Sequence, residues 1–420
     1  MPDRHLPFGF RALPWVAVAA LAGIVAAIVP HLVPHPSPQP HEAISIGPQI
    51  GMPGAPPTTA DGLRQRISEM ERRLSDHPGD VSAAVLLADA LLRQARATND
   101  SRPTSRAGDV LTAVLKETSG QYDILRMLGA IDLSQHRFRE ALGVGRRARN
   151  LRPDDAWNYG VIGDALTELG EYDQAFDAFD TMASIRPSAA AYARVAYGRE
   201  LRGNLYGALQ AMEMAAQAIP VQDPEAQAWY AAQVGELYLK MGQVDKADRE
   251  YRRATFLFPN YPHAVVGQGK VRVARGDRDA ALTVYLEQLK RTPTLDLAWR
   301  IGDLYAQRGA REESERYYQL AEDLAGPGVA QTEASLALFL AEHDRKLNAA
   351  VTIAERVAAV RQDIFTEDAL AWAYFKAGRL HEAATASQRA LRTGTRDERI
   401  RAHAAQIGAT SARLVSRRTS

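Results

Sequence analysis

Four of the five tryptophans in this 420-residue chain stand at fixed distances from a small residue. Trp157 and Trp229 lie six before Gly163 and Gly235, Trp299 lies three before Gly302, and Trp372 follows Ala371. Offsets of six before, three before and one after fall on one face of an α-helix. Tyr197 and Phe339 join that stripe one residue after Ala196 and Leu338, and Asp164, Glu236 and Asp303 hold the same offset after their glycines. Over the whole stripe nine acids stand against four bases. An aromatic surface with net negative charge suits an extended protein or peptide segment bearing apolar and basic side chains, because rings give rigid contact area and carboxylates steer approach.

Nothing comparable points to catalysis. His41-Glu42 and His381-Glu382 lack the second histidine of a zinc-binding helix, and Gly267-Gln268-Gly269-Lys270 has no hydroxyl residue after its lysine and no strand before it. Asp154-Asp155, after Pro153, reads as a helix start. The absence of cysteine removes thiol nucleophiles, cysteine-ligated zinc, iron–sulfur clusters and disulfides. No cofactor, no metal and no enzymatic reaction are expected. With 51 basic against 50 acidic residues, the net charge of +1 gives no field to hold nucleic acid, while 46% hydrophobic and 24% charged residues describe a folded chain.

The elements that must position the stripe repeat along the chain. Gly129, Gly163, Ala196, Gly235, Gly269, Gly302, Leu338 and Ala371 head segments spaced 33 to 39 residues apart. Seven residues later stands Gly170, Gly203, Gly242, Gly276, Gly309 or Gly378, where a first helix should end in a turn. Five further on comes Ala141, Ala175, Ala208, Ala247, Ala281, Ser314, Ala350 or Ala383, and then, four beyond, a large residue such as Phe179, Met212, Tyr251, Tyr285 or Tyr318. Pro153, Pro187, Pro220, Pro259 and Pro293 end five of the units. Small residues let two antiparallel helices approach, large ones fill the seam, and stacked units bury what one hairpin cannot.

This pattern resembles the tetratricopeptide repeat family, and the layout is similar to uncharacterised exported or membrane-anchored bacterial members. The resemblance implies an all-α, right-handed α-solenoid of helix–turn–helix repeats whose first helices line a concave groove, and hence a scaffold for protein–protein interaction. It covers the array at 121–395, with divergent helical repeats at 61–120 and a capping helix with a basic tail at 396–420. The unit headed by Leu338 lacks the turn glycine (Arg345) and the closing proline (Gln362), the step of 39 implies an insertion around Pro220–Glu225, and segment 98–106 reads as a loop insertion. The groove expected to take a partner comprises Trp157, Asp164, Tyr197, Trp229, Glu236, Trp299, Asp303, Phe339 and Trp372.

Ahead of the repeats, Ala12 to Pro30 carries no charge and would span roughly 28 Å as a helix, about one hydrocarbon core. We read 12–33 as a transmembrane signal anchor in the lipid bilayer, 1–11 as a cytoplasmic tail and 34–60 as a Pro-rich linker. Arg4 and Arg11 precede the span and the next arginine is Arg64, which places the repeats in the periplasm or outside the cell. A cleaved signal peptide, giving a secreted protein, is the competing reading, and a peptide-sensing signalling protein is the alternative function.

Overall fold

The computed structural model describes residues 60–98, 100, 102–118, 122–325 and 330–419. The expected span at 12–33 and its linker to residue 59 lie outside the described residues; among those described, no helix is long and apolar enough to cross a membrane. Among the described residues, α1 (Ala60–Asp76) is followed by nine helix pairs. They are α2 (Val81–Thr98) with α3 (Arg102–Glu117), α4 (Tyr122–Ser134) with α5 (Phe138–Leu151), and α6 (Ala156–Glu168) with α7 (Tyr172–Ile185). Next are α8 (Ala189–Leu201) with α9 (Leu205–Gln217), α10 (Pro224–Lys240) with α11 (Val244–Leu257), and α12 (Pro262–Ala274) with α13 (Arg278–Arg291). The last are α14 (Leu295–Gln307) with α15 (Arg311–Leu324), α16 (Ala330–Glu342) with α17 (Leu347–Ala358), and α18 (Ile364–Lys376) with α19 (Leu380–Ala390), before the capping α20 (Glu398–Thr419).

Local chemistry sets these boundaries. Asp155, Ser188, Asn204, Asp223, Asp277 and Thr294 each accept a backbone N–H of the first turn that follows them. The residues before four closing prolines, Arg152, Arg186, Phe258 and Thr292, leave the helical region at φ between −136° and −147°, as crowding by the proline ring requires. Between the helices of a pair the turn needs a left-handed residue. Gly170 supplies it at φ 77°, and where glycine is missing His136 takes φ 58° and Asp344 φ 52°. The loop expected at 98–106 is mostly helix: α3 starts at Arg102 with Pro103 in its first turn, where no intrahelical hydrogen bond is lost.

Inside each pair the small and large columns meet. Ala141, Ala175, Ala208, Ala247, Ala281, Ala350 and Ala383 are all fully buried, at 0% exposure. A Cβ on Gly302 would lie 2.5 Å from the Tyr318 ring and one on Gly235 2.9 Å from Tyr251, so only glycine permits that approach. First helices pack against the next first helix (α4 on α6, α10 on α12, α14 on α16, α16 on α18), whereas second helices make no such contacts of comparable extent. The first helices therefore line the inner, shorter side of a curved array.

Both ends fold back onto the middle. Arg93 on α2 pairs with buried Asp223, 130 residues away, at 2.8 Å. Farther along, the segment before α18 lies on α6 and α7. The Gln362 N–H donates to the Glu168 carbonyl and the Ile364 N–H to the Tyr172 hydroxyl, both at 2.8 Å.

Candidate functional site

The stripe read from the sequence is one face, but its residues have unequal surroundings. Trp157, on α6, is half-buried between Arg126 and Arg194, whose guanidinium carbons lie 5.5 and 5.6 Å from its ring centre. Arg194 also grips Asp164 with two nitrogens, at 2.9 and 2.6 Å, so one arginine of α8 ties both stripe residues of α6. Trp229 is half-buried and meets Tyr230 edge-on at 4.7 Å. Glu236 accepts hydrogen bonds from Lys270 at 2.9 Å and from the Tyr251 hydroxyl at 2.8 Å. Burial alone would raise its pKa, yet the Lys270 charge and hydrogen bond outweigh burial and hold it at about 2.

On α14, Trp299 turns its edge to Phe339 at 5.5 Å and to His343 at 5.9 Å. Asp303 accepts from the Tyr318 hydroxyl at 2.8 Å and lies 3.3 Å from His343 Nε2. Tyr197 is covered by the apolar cluster that includes Tyr172, Phe176, Ile364 and Ile400.

Two expected groove residues are corrected. Phe339 is 0% and Trp372 5% exposed, so neither lines an open surface. The same helix-face arithmetic applies to them, but α16 and α18 pack closely and α20 covers the face: His403 stacks on Trp372 at 3.9 Å with rings 8° apart. His403 bridges Asp368 at 2.9 Å and Glu342 at 3.0 Å. Burial lowers its pKa, but the two carboxylate hydrogen bonds win and raise it to about 9.

The acidic trough is also corrected, because its carboxylates are already neutralised. Asp164 pairs with Arg194, Glu200 with Lys240, Glu236 with Lys270, Glu168 with Arg361, and Asp368 with Arg399. Asp296 and Arg300 stay exposed on α14, and among the described residues Arg300 has no ion pair. Around them run two adjoining cavities. One, of about 400 Å³, is lined by Trp299, Arg300, Asp303, Arg361, Phe365 and Arg399; the other, of about 340 Å³, by Glu236, His263, Lys270, Asp296 and Arg300. Asp296 and Arg300 belong to both, so the cavities form one trough across α10, α12, α14, α16 and α18.

Arg300, Arg361 and Arg399 were missed by the stripe. Arg300 falls two before its glycine, outside the chosen offsets, and Arg399 lies on the capping helix. Arg361 had a visible signal, since the proline column fails at the next residue. Gln362 must donate its backbone N–H to Glu168, which proline cannot do.

Residues 266–329 match the family model described as tetratricopeptide repeat. No curated protein matches the chain in sequence. Among solved structures, the human IFIT1 dimer with m7Gppp-AAAA is similar with a TM-score of 0.51 and 14% identity, over 79% of this chain and 77% of that chain. The APC/C hetero-tetramer Cut9-Hcn1 gives a TM-score of 0.49 at 14% identity over 83% of this chain, which spans 59% of that chain's length. Yeast Tom70 gives 0.47 at 12% identity, covering 85% and 86%. The likeness to the IFIT1 structure is one of fold, and together with the match at 266–329 it supports a TPR-like helical-repeat solenoid, the kind of scaffold suited to protein–protein interaction.

Proposed function

We propose that the chain is a membrane-tethered scaffold that captures an extended segment of a protein partner outside the cytoplasm, in the trough along α10–α18. The observation that carries this reading is the run of two adjoining cavities sharing Asp296 and Arg300, with Trp299 as its aromatic wall. Arg300, exposed and without an ion pair among the described residues, lies beside a half-buried indole and supplies with it the features that dominate binding energy at protein interfaces. Partner capture here does not depend on a net acidic surface; Arg300 and Asp296 offer one charge of each sign, and a segment that pairs with both would be held in one register. Tethering rests on the uncharged stretch 12–33, with Arg4 and Arg11 close before it and no arginine or lysine after it until Arg64.

A photoreactive residue in place of Trp299 in the full chain, irradiated in intact cells, should crosslink a protein partner, and Arg300→Glu should lower that yield tenfold or more with the melting curve unchanged. Equal yields with and without Arg300→Glu would refute the trough. A C-terminal alkaline phosphatase fusion should be active; an inactive fusion beside an active cytosolic reporter would refute the location.

A further inference from the structure

The turn between α6 and α7 and the adjoining part of α8 are covered by the chain's own residues 361–365. Arg361 Nε sits 2.7 Å from Glu168 and 2.6 Å from Asp363. The backbone of residues 362 and 364 donates to the Glu168 carbonyl and the Tyr172 hydroxyl, both at 2.8 Å. Ile364 is fully buried, and with Phe365 it packs among Tyr172, Phe176, Tyr197 and Leu201. Main-chain hydrogen bonds from Gln362 and from Ile364, the first residue of α18, hold the segment, while Arg361 fills a charged subsite and Ile364 and Phe365 an apolar one.

The turn glycines at 170 and 203, left-handed like the others, are also closed over by the C-terminal repeats, Gly170 by Gln362 and Arg392 and Gly203 by Gly394 and Arg396. A Cβ on Gly170 would lie 2.6 Å from the Gln362 carbonyl oxygen, and one on Gly203 2.8 Å from that of Gly394. The equivalent turns at Gly242, Gly276, Gly309 and Gly378 have nothing within 4 Å. The contact is also polar, and the trough cavity of about 400 Å³ reaches Arg361 and Phe365. Burial raises the Glu168 pKa to about 7, against the pull of Arg361, a strain that solvent would relieve on opening.

We infer that residues 361–365 are a built-in pseudo-ligand: they occupy a second peptide site on α6–α8, and a partner segment with arginine three residues before an Ile–Phe pair displaces them. This deepens the scaffold reading and rests on it, and it makes the protein self-blocked at α6–α8.

Hydrogen exchange on the full chain reads the contact directly. Gly170→Ala should speed exchange of the 361–365 amides tenfold or more, while Gly276→Ala, which carries the same left-handed backbone cost without the clash, should leave them as in the wild type. Equal exchange in the two variants would overturn the proposal. The fluorescent peptide Arg-Gln-Asp-Ile-Phe-Thr should bind the Arg361→Glu chain, whose own segment is repelled by Glu168, and not the wild type. Absence of binding to Arg361→Glu would also overturn it, and the glycine pair decides the matter if Arg361→Glu does not fold. Arg300→Glu tests the trough alone and leaves exchange at 361–365 unchanged, so failure of one site is separable from failure of the other.

Discussion

Where α14 meets α15, Gly302 lies under the Tyr318 ring, with Ala298 and Ile301 fully buried beside it. Where residues 361–365 meet α6 and α7, the contact is an arginine between two carboxylates, two backbone hydrogen bonds and a small apolar cluster. The first seam is closely packed and mainly apolar, and its energy comes from contacts that no rearrangement preserves. The second must desolvate charges, which costs nearly as much as their attraction returns. Stability of the array therefore resides within and between consecutive repeats, while the fold-back seam is the part that can open without melting the helices.

The largest effect that would separate the two seams belongs to the first. Ala247→Glu places a carboxylate at a fully buried seam position and should cost about 3 kcal/mol or more, with loss of helical signal spreading to neighbouring repeats. An unchanged melting temperature would show that the repeat seams are not what holds the array. Arg361→Ala comes next: it leaves Glu168 and Asp363 buried without their cation, a loss of about 3 kcal/mol in systems of this kind. Here the loss should fall on the fold-back contact, so circular dichroism should keep its helical signal while small-angle scattering shows expansion. Global melting instead would merge the two seams into one cooperative unit.

A third, smaller effect sharpens the role of the capping helix. Because the His403 pKa in the folded chain is raised to about 9 from 6.5, its contribution is fully present below pH 6.5 and is lost as pH rises through 9. The difference corresponds to about 3 kcal/mol at most, and to less where solvent screens the ion pairs. Denaturant midpoints measured from pH 6 to 10 should fall over that window in the wild type and fall less in His403→Phe, which keeps the stack on Trp372 and drops the charge. Parallel curves would remove His403 from the account. The smallest effect is at the turns: His136→Gly relieves a left-handed backbone and should stabilise by about 0.5–1 kcal/mol, whereas Gly276→Ala should lose a similar amount.

The sequence made the repeat seams legible because each is local: a small head, an alanine and an aromatic within sixteen residues meet across one turn, and every alanine of that column is fully buried. The step of 39 was legible too, as the turn Pro220–Asp223 and a 17-residue α10. Helix-face arithmetic found Trp157, Trp229 and Trp299, all half-buried, but it cannot tell an inner face open to solvent from one covered by a later helix, and so it also chose Phe339 and Trp372. Counting charges along one face missed their partners on neighbouring helices, Arg194 for Asp164 and Arg361 for Glu168, the latter pair 193 residues apart. No period encodes such a contact. Its trace was an exception to the pattern, the glutamine at 362 where a proline would have removed a donor.

The central claim is that the C-terminal repeats fold back onto the middle of the array, and a distance across that seam tests it most directly. The chain has no cysteine, so Asn204→Cys and Arg396→Cys, two exposed positions that line a cavity of about 550 Å³, take spin labels at unique sites. Double electron–electron resonance on the full chain should give one short, narrow distance distribution, which broadens and lengthens when Arg361→Ala is added. A long, broad distribution in the wild-type background, unchanged by Arg361→Ala, would contradict the closed array.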